Sequence, residues 1–334
     1  MSEDDAVSLP RLAIVVPCFN EEQVLPISSG QFLSKLESLI GSGRIADTSQ
    51  VVFVDDGSSD RTWELVESLA QSTHHFGGVR LTRNYGHQNA LLAGLMCVRT
   101  SFDVTISADA DGQDDINAMD AFIGQYEAGC DVVYGVRSSR KKDTVFKRMT
   151  AQAFYRLLAG MGVKTVYNHA DYRLMSSKAL SILAQYQESN LFLRGIVPLV
   201  GLRTATVDYE RSARLAGESK YPLSKMLALA LRGVTSFSSK PLRFITVLGF
   251  AVSVLTLVAI VWVLVTYFMG RSVQGWTSTT LAIFLMGGLQ LFSLGIIGEY
   301  VAKVFDEVKH RPRFTIGDTA GGVSQVTDDG RLDA

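Results

Sequence analysis

The sequence of 334 residues predicts an α/β domain with a Rossmann-like, mostly parallel sheet that is covered by helices on both faces. A two-helix transmembrane hairpin is predicted to follow it. Three observations lead to this fold class. Continuous apolar runs alternate with helix-like stretches from residue 12 to about residue 135, which is typical of buried parallel strands. Polar residues follow these runs, where such sheets bind ligands. Two charge-free segments longer than the ~20 residues that span a bilayer come later in the chain.

The predicted strands are short apolar runs that end at polar or turn residues. They comprise residues 12–16, 51–54, 79–81, 103–107 and 132–134. Helices are predicted between them, near residues 21–40, 60–72, 87–99 and 115–128. The domain is assigned to residues 11–220, after an N-terminal tail of residues 1–10. That tail begins with an acidic stretch without an apolar core, so no secretory signal is predicted.

Residues 244–304 are predicted to contain two transmembrane helices. No charged residue lies between Arg243 and Arg271, or between Arg271 and Glu299, which makes buried core helices the weaker interpretation. Basic residues flank the pair, whereas the intervening loop offers only Arg271. The positive-inside rule therefore places both termini in the cytoplasm. The protein is predicted to be a multi-pass protein of the plasma (inner) membrane.

The segments on either side of the hairpin carry weaker patterns. Residues 221–243 have apolar side chains near helical spacing, which predicts a juxtamembrane amphipathic helix, with packing against the domain as an equal alternative. Residues 305–334 are predicted to be a cytoplasmic tail. From Thr315 onward this tail is rich in Gly, Asp, Ser and Thr, and disorder is predicted for it.

Composition narrows the function classes. A net charge of −1 does not favour a nucleic-acid-binding protein. Cys18, Cys97 and Cys130 are far apart in the chain, which fits neither a zinc site nor a disulfide framework. They are interpreted as small buried hydrophobic residues of a protein in a reducing compartment.

The most informative motif is Asp109-Ala110-Asp111, directly after the predicted strand 103–107. Hard oxygen ligands one residue apart suit a Mg²⁺ or Mn²⁺ ion that is also held by substrate phosphates. Short acidic pairs are also common in solvated turns, so the motif alone is a weak signal. In its context it predicts a metal site that handles a nucleotide diphosphate.

Two further polar segments follow predicted strands. Asn20 can cap the first helix, and the acidic residues after it suit the first turn of that helix. Gly57 permits a tight turn after the second strand. A turn does not require two carboxylates such as Asp55 and Asp56. A carboxylate at this position could accept a hydrogen bond from a base N–H or a ribose hydroxyl.

Taken together, these motifs resemble the family 2 inverting glycosyltransferases with the GT-A fold. Later motifs narrow the resemblance to the polyprenyl-phosphate glycosyltransferases, a group that includes dolichol-phosphate mannose synthases and bacterial undecaprenyl-phosphate glucosyltransferases. The resemblance covers roughly residues 10–313, and the two C-terminal spans match the bacterial branch. The segments that carry it are Pro17–Glu22, Asp55–Thr62, Arg83–Leu91, Asp109–Asp114, Asp171–Met175 and Arg211–Tyr221.

The resemblance implies roles for individual residues. The nucleotide pocket would be lined by Pro17, Asn20, Glu22, Asp55 and Asp56. The metal, Mg²⁺ or Mn²⁺, would be held by Asp109 and Asp111. The catalytic positions would be Gln113, near the donor sugar, and Asp171, the base or acceptor-side carboxylate. Phosphates would be faced by Arg173, Arg211, Arg214 and Lys220. The loop Gly112–Ile116 lacks the prolines usual in the family, which predicts a more flexible metal loop.

The chemistry of the acceptor favours an orienting role for Asp171. A phosphomonoester has a second pKa of about 6, so it is already a competent nucleophile at cytoplasmic pH. The acceptor phosphate needs to be positioned, and it needs cations that offset its repulsion from the donor diphosphate, more than it needs a general base. His87 is interpreted as a helix N-terminal or core histidine.

The resulting hypothesis is a membrane-anchored transferase that moves one sugar, from UDP-glucose or a related UDP-hexose, to polyprenyl (undecaprenyl) phosphate. The product would be a lipid-linked monosaccharide for cell-envelope glycan modification. A GDP-mannose-dependent mannosyltransferase is the close alternative. A polysaccharide synthase is disfavoured because no Gln-x-x-Arg-Trp motif occurs, and an inactive membrane scaffold is disfavoured by the intact carboxylates. A homo-oligomer stays an open alternative.

Overall fold

The computed structural model describes residues 9–137, 169–188, 193–210 and 276–326, together with some positions within 245–269. These residues fall into two compact units. The first takes its residues from 1–155, 164–221 and 311–334, and the second from 156–163 and 222–310.

The first unit contains an eight-stranded sheet. Its strands are β1 (Leu12–Cys18), β2 (Gln50–Asp55), β3 (Phe76–Leu81), β4 (Val104–Ser107), β5 (Val132–Arg137), β6 (His169–Ser176), β7 (Thr204–Tyr209) and β8 (Ile316–Ala320). They lie in the order β7-β5-β6-β4-β1-β2-β3-β8. β1 pairs in parallel with β2 and β4, β2 pairs with β3, and β5 pairs with β7. β6 is antiparallel to β4 and β5, and β8 is antiparallel to β3. The predicted mostly parallel sheet is confirmed.

Among the described residues of this unit, the first four helices lie close to their predicted positions, and two shorter helices after β6 were not predicted. They are α1 (Leu25–Gly41), α2 (Thr62–Ser72), α3 (His87–Val98), α4 (Ala118–Glu127), α5 (Ser177–Leu183) and α6 (Leu193–Ile196), with a 3₁₀ helix at Val197–Val200. α3 is almost wholly buried. A Cβ atom at Gly94 would lie 2.5 Å from a methyl group of Val54 and 2.6 Å from one of Val15, so glycine lets α3 pack directly on β1 and β2.

The core lies against the central strands. Residues 12–16 have no exposed surface, which explains the continuous apolar run in the sequence. The three cysteines are buried and free, as predicted.

β8 corrects the prediction of disorder from Thr315 onward. The Thr82 N–H donates to the Thr315 carbonyl at 3.0 Å, and the following residues pair with β3. Phe314, Val323 and Val326 are buried around this strand. An edge strand is stabilised by main-chain hydrogen bonds and a few apolar anchors, so a polar composition did not prevent it from forming.

The second unit contains α7 (Trp276–Val308). Its segment Leu285–Val308 is long and apolar enough to cross a membrane, and none of it is buried inside the protein. The second predicted span, residues 272–298, thus corresponds to a helix that begins at residue 276 and continues ten residues further, to residue 308. The first predicted span, residues 244–270, is described only at scattered helical positions. The predicted juxtamembrane helix 221–243 lies outside the described residues, as do Arg211, Arg214 and Lys220.

Candidate functional site

The chain topology brings the predicted site loops to one edge of the sheet. β1, β2 and β4 are parallel neighbours, so the loops after Cys18, Asp55 and Ser107 emerge at their common carboxyl edge. β6 is antiparallel to β4 and pairs Arg173 with Ser107. The start of β6, with Asp171, therefore lies beside the end of β4.

His87 joins the acidic loop to Asp171. Its Nε2 atom is 3.6 Å from Asp109 Oδ1 and 3.9 Å from Asp171 Oδ2. His87 is the first residue of α3, as predicted, but its place between two carboxylates was not anticipated. The structure thus brings Asp109 and Asp171 together through one imidazole.

Asp171 is held by two guanidinium groups. Its Oδ1 accepts hydrogen bonds from Arg173 Nη2 at 2.7 Å and from Arg194 Nε at 3.1 Å, and its Oδ2 accepts one from Arg194 Nη2 at 3.0 Å. Burial alone would raise the pKa of Asp171, but Arg194 and Arg173 outweigh it and hold that pKa well below its usual range. The group is therefore a carboxylate across the neutral range.

The position of Arg173 does not support the predicted contact with a phosphate. Its side chain is only 2% exposed, and it donates to Asp171 and to the Leu193 carbonyl. Arg194, with 34% of its side chain exposed, is the more accessible cation of the pair. Sequence reasoning missed Arg194, because no local pattern around it points to a site 23 residues earlier in the chain.

The charge around Asp109 is strongly negative. Burial and the neighbouring carboxylates of Asp114, Asp171 and Asp111 raise the pKa of Asp109 to about 6, although His87 acts in the opposite direction. Its side chain keeps 31% of its surface exposed. Such an accumulation of carboxylates favours a bound cation.

The loop after Asp109 is fixed by two tyrosines. Tyr209 donates its hydroxyl to Asp114 Oδ1 at 2.8 Å, and Tyr172 donates to the Asp115 carbonyl at 2.9 Å. The Gln113 N–H donates to Asp111 Oδ1 at 3.1 Å. These bonds anchor the loop, although it contains no proline.

Asp56 fixes the loop that leads into α3. Its Oδ1 accepts from the Tyr85 N–H at 2.7 Å and its Oδ2 from the Gly86 N–H at 2.9 Å. Gly57, at φ +69°, packs against this loop so closely that a Cβ atom would lie 2.5 Å from the Arg83 carbonyl carbon. Asp56 thereby positions the start of α3 and with it His87.

Asp55 lies deeper than predicted. It has no exposed surface, its Oδ1 accepts from the Ser58 N–H at 3.1 Å, and its Oδ2 is 3.8 Å from Arg80 Nε. Burial raises the pKa of Asp55 and of Asp56. A direct nucleotide contact by Asp55 is not supported, because a fully buried carboxylate presents no atom to a ligand.

Asn20 and Glu22 connect two loops rather than cap a helix. Asn20 Oδ1 accepts from the Ser59 N–H at 2.9 Å, and Glu22 Oε2 accepts from the Arg61 N–H at 3.3 Å. The first helix begins only at residue 25, so the predicted cap by Asn20 is wrong. Pro17 is buried in β1 just before this loop.

Comparison with known proteins identifies the family. Residues 13–196 match the description "Glycosyl transferase family 2", and residues 240–304 match the "GtrB C-terminal hairpin". The chain belongs to glycosyl transferase family 2. The predicted GT-A fold and glycosyltransferase activity are thereby confirmed, and the hairpin associates this glycosyltransferase with a membrane.

Relatives cover nearly the whole glycosyltransferase. The uncharacterized glycosyltransferase YkoT of Bacillus subtilis (strain 168) is 50% identical over 309 residues, which are 92% of each protein. A bactoprenol glucosyl transferase of Shigella phage SfX is 37% identical over 308 residues, 92% of this chain and 98% of the phage protein. Among solved structures, the mannosyltransferase PcManGT from Pyrobaculum calidifontis in complex with GDP-Man and Mn²⁺ is 15% identical, with a TM-score of 0.42 over 90% of this chain and 87% of that one. It is too distant for a comparison of individual residues.

Proposed function

We propose that this glycosyltransferase moves one sugar from a nucleotide diphosphate sugar, UDP-glucose or a related UDP-hexose, to polyprenyl phosphate with inversion at the anomeric carbon. The observation that supports the proposal is the junction of Asp109, His87 and Asp171, where the acidic loop lies beside a carboxylate–guanidinium cluster. Similarity along nearly the full length of a bactoprenol glucosyl transferase supports the acceptor class and the sugar.

Asp109 and Asp111 would hold a Mg²⁺ or Mn²⁺ ion. The fit rests on the burial of Asp109 and the repulsion by its neighbouring carboxylates, which together raise its pKa, because a divalent cation would offset that repulsion. When bound, the ion supplies electrostatic stabilisation of the diphosphate leaving group. Gln113, beside Asp111, would contact the donor sugar, and the loops of Asn20, Glu22 and Asp56 would surround the nucleotide.

Asp171 would orient cations rather than remove a proton. Both of its oxygens are engaged by guanidinium groups, and a carboxylate with such a low pKa is a weak base. The acceptor phosphate needs little deprotonation, since its second pKa is about 6. Arg194, which Asp171 holds in position, would therefore bind the incoming phosphate. Arg211, Arg214 and Lys220, which lie outside the described residues, would contribute to the same binding.

The transferase would act at the cytoplasmic face of the plasma membrane, as a multi-pass protein with both termini in the cytoplasm. Support comes from the basic flanks of the hairpin in the sequence and from the apolar segment Leu285–Val308. Reporters fused to either terminus should report the cytoplasm, and a tag inserted near Gln274 should be reached from outside. A terminus reached from outside would contradict this topology.

The test is transfer of radiolabel into an organic-soluble product by the detergent-solubilised protein. Undecaprenyl phosphate is the acceptor, and UDP-glucose, other UDP-hexoses and GDP-mannose are the donors. A lipid-linked monosaccharide from a UDP-hexose is expected. Preference for GDP-mannose as the donor would instead support the mannosyltransferase alternative. A water-soluble polymer would indicate a polysaccharide synthase. A complete lack of transfer from every donor would indicate an inactive scaffold. Asp109→Asn and Asp111→Asn should each lower turnover by at least ~100-fold.

A further inference from the structure

A second group of ligand-type side chains lies at the opposite edge of the sheet. Asp47 stands just before β2, and His74 and His75 stand just before β3. β2 and β3 are parallel, so these residues lie at the amino edge. A six-residue strand separates them from Asp55 by about 20 Å, at ~3.3 Å per residue, which makes this group independent of the proposed donor site.

The three side chains point at one another. His74 Nε2 is 3.7 Å from Asp47 Oδ2, and His75 Nε2 is 3.9 Å from Asp47 Oδ1. One ligand atom from each residue lies within 4.8 Å of the others. Ligands at 2.0–2.1 Å around a tetrahedral zinc ion lie about 3.4 Å apart. Small side-chain rotations would therefore bring all three atoms to bonding distance.

Neighbouring hydrogen bonds prepare His75 as a ligand. Its Nδ1 lies 3.1 Å from the carbonyl oxygen of Ser49. A proton on Nδ1, donated to this carbonyl, leaves the lone pair on Nε2, the atom that faces Asp47. Metal-binding histidines are commonly oriented by a carbonyl in this way. The side chain of His75 is only 11% exposed, so the ring has little freedom to turn away.

The backbone on both sides of the group is also fixed. The His75 carbonyl accepts from the Val51 N–H at 2.7 Å, and the His74 carbonyl accepts from Gln50 Nε2 at 2.7 Å. On the other side, the Ser49 hydroxyl donates to the Ala46 carbonyl, one residue before Asp47. These bonds hold the backbone next to Asp47 and at the two histidines in place before any ion binds, while the side chains of His74 and Asp47 remain exposed.

We propose that Asp47, His74 and His75 form a zinc site, with solvent at the remaining coordination position. Two imidazoles and one carboxylate favour Zn²⁺ over the Mg²⁺ or Mn²⁺ of the donor site, since the latter ions prefer oxygen ligands. The ion ties the loop before β2 to the turn before β3. It stabilises the domain from the side remote from the chemistry.

The test uses the full-length protein in detergent, with an affinity tag that contains no histidine. The parent protein carries Asp109→Asn and Asp111→Asn, so that the proposed donor-site ligands cannot contribute. Equilibrium dialysis with elemental analysis should find one zinc per chain. Zinc should raise the melting temperature by about 3 °C or more at concentrations well above Kd, whereas the same concentration of Mg²⁺ should not.

Two exposed substitutions assign the binding to this group. Asp47→Asn and His74→Ala should each weaken zinc binding by about tenfold or more, while melting without zinc stays near that of the parent. His310→Asn, which removes a histidine elsewhere, should leave zinc binding unchanged. The proposal is overturned if the parent binds no zinc, or if both Asp47→Asn and His74→Ala bind it as tightly as the parent does.

Discussion

Acidification should weaken divalent-cation binding at the donor site, because the pKa of Asp109 is raised to about 6. The metal binds the ionised carboxylate, so protons compete with it. At pH 7.5 nearly all Asp109 is ionised, whereas at pH 5, one unit below the pKa, only about a tenth is. The Kd for Mn²⁺ should therefore rise about tenfold between these two pH values.

The measurement is Mn²⁺ binding to the full-length protein, followed by electron paramagnetic resonance without nucleotide or acceptor, so that no substrate phosphate titrates. Asp47→Asn is used as the background, which keeps the proposed zinc site out of the signal. Asp109→Asn should bind weakly at both pH values. Equal Mn²⁺ affinity at pH 7.5 and pH 5 in the Asp47→Asn background would refute the reasoning.

A second variant tests the direction of the shift. His87 lies 3.6 Å from Asp109 and lowers the pKa of that carboxyl electrostatically. His87→Gln removes this effect, so the pKa of Asp109 should rise and the loss of Mn²⁺ affinity should begin at a higher pH. An unchanged profile would mean that His87 and Asp109 are not coupled.

Four further variants have expected outcomes. Arg194→Ala removes the exposed partner of Asp171 and should lower kcat/KM for polyprenyl phosphate by about 10- to 100-fold, which corresponds to the loss of one charge-assisted contact. Asp171→Asn should keep residual activity that does not increase from pH 7 to 9. An Asp171→Asn variant that is inactive at every pH would indicate an obligatory base. Phe314→Ala should lower the free energy of unfolding by about 3–5 kcal/mol in denaturant titration. As a control, substitution of the exposed Gln325 by Ala should change it by less than about 0.5 kcal/mol. Equal effects of the two variants would contradict the anchoring of β8. Gly57→Ala should raise KM for the donor, because its Cβ displaces the Arg83 backbone; donor kinetics like those of the wild type would show that this contact is not needed.

The sequence predicted the first five strands well because each is a run of apolar residues between polar ends. β7 (Thr204–Tyr209) and β8 (Ile316–Ala320) escaped prediction for the opposite reason. Both lie at the ends of the strand order, where one side of each strand has no partner among the described residues, and polar residues are tolerated there. β6 carries the Asp171 motif, but only family resemblance, and no apolar pattern, pointed to it.

The residues of the candidate site also differ in whether a local sequence pattern predicts them. Asp109 and Asp111 were found because their motif is local and follows a strand. His87 and Arg194 were missed, since their contacts with Asp171 arise from packing between segments 84 and 23 residues away in the chain. Asp55 and Arg173 were predicted to contact the nucleotide and a phosphate, but both side chains are buried in the sheet.

The place of β8 in the chain bears on how the protein is made. β3 pairs with β2 on one side and with β8 on the other, and β8 follows α7 in sequence. During synthesis, β3 therefore remains an unpaired edge until residues beyond 308 have left the ribosome. By then the apolar helix of residues 276–308 has already emerged. Completion of the catalytic sheet is thus delayed until the membrane segment has been translated, which leaves a newly made chain open to wrong strand pairing if translation stops early.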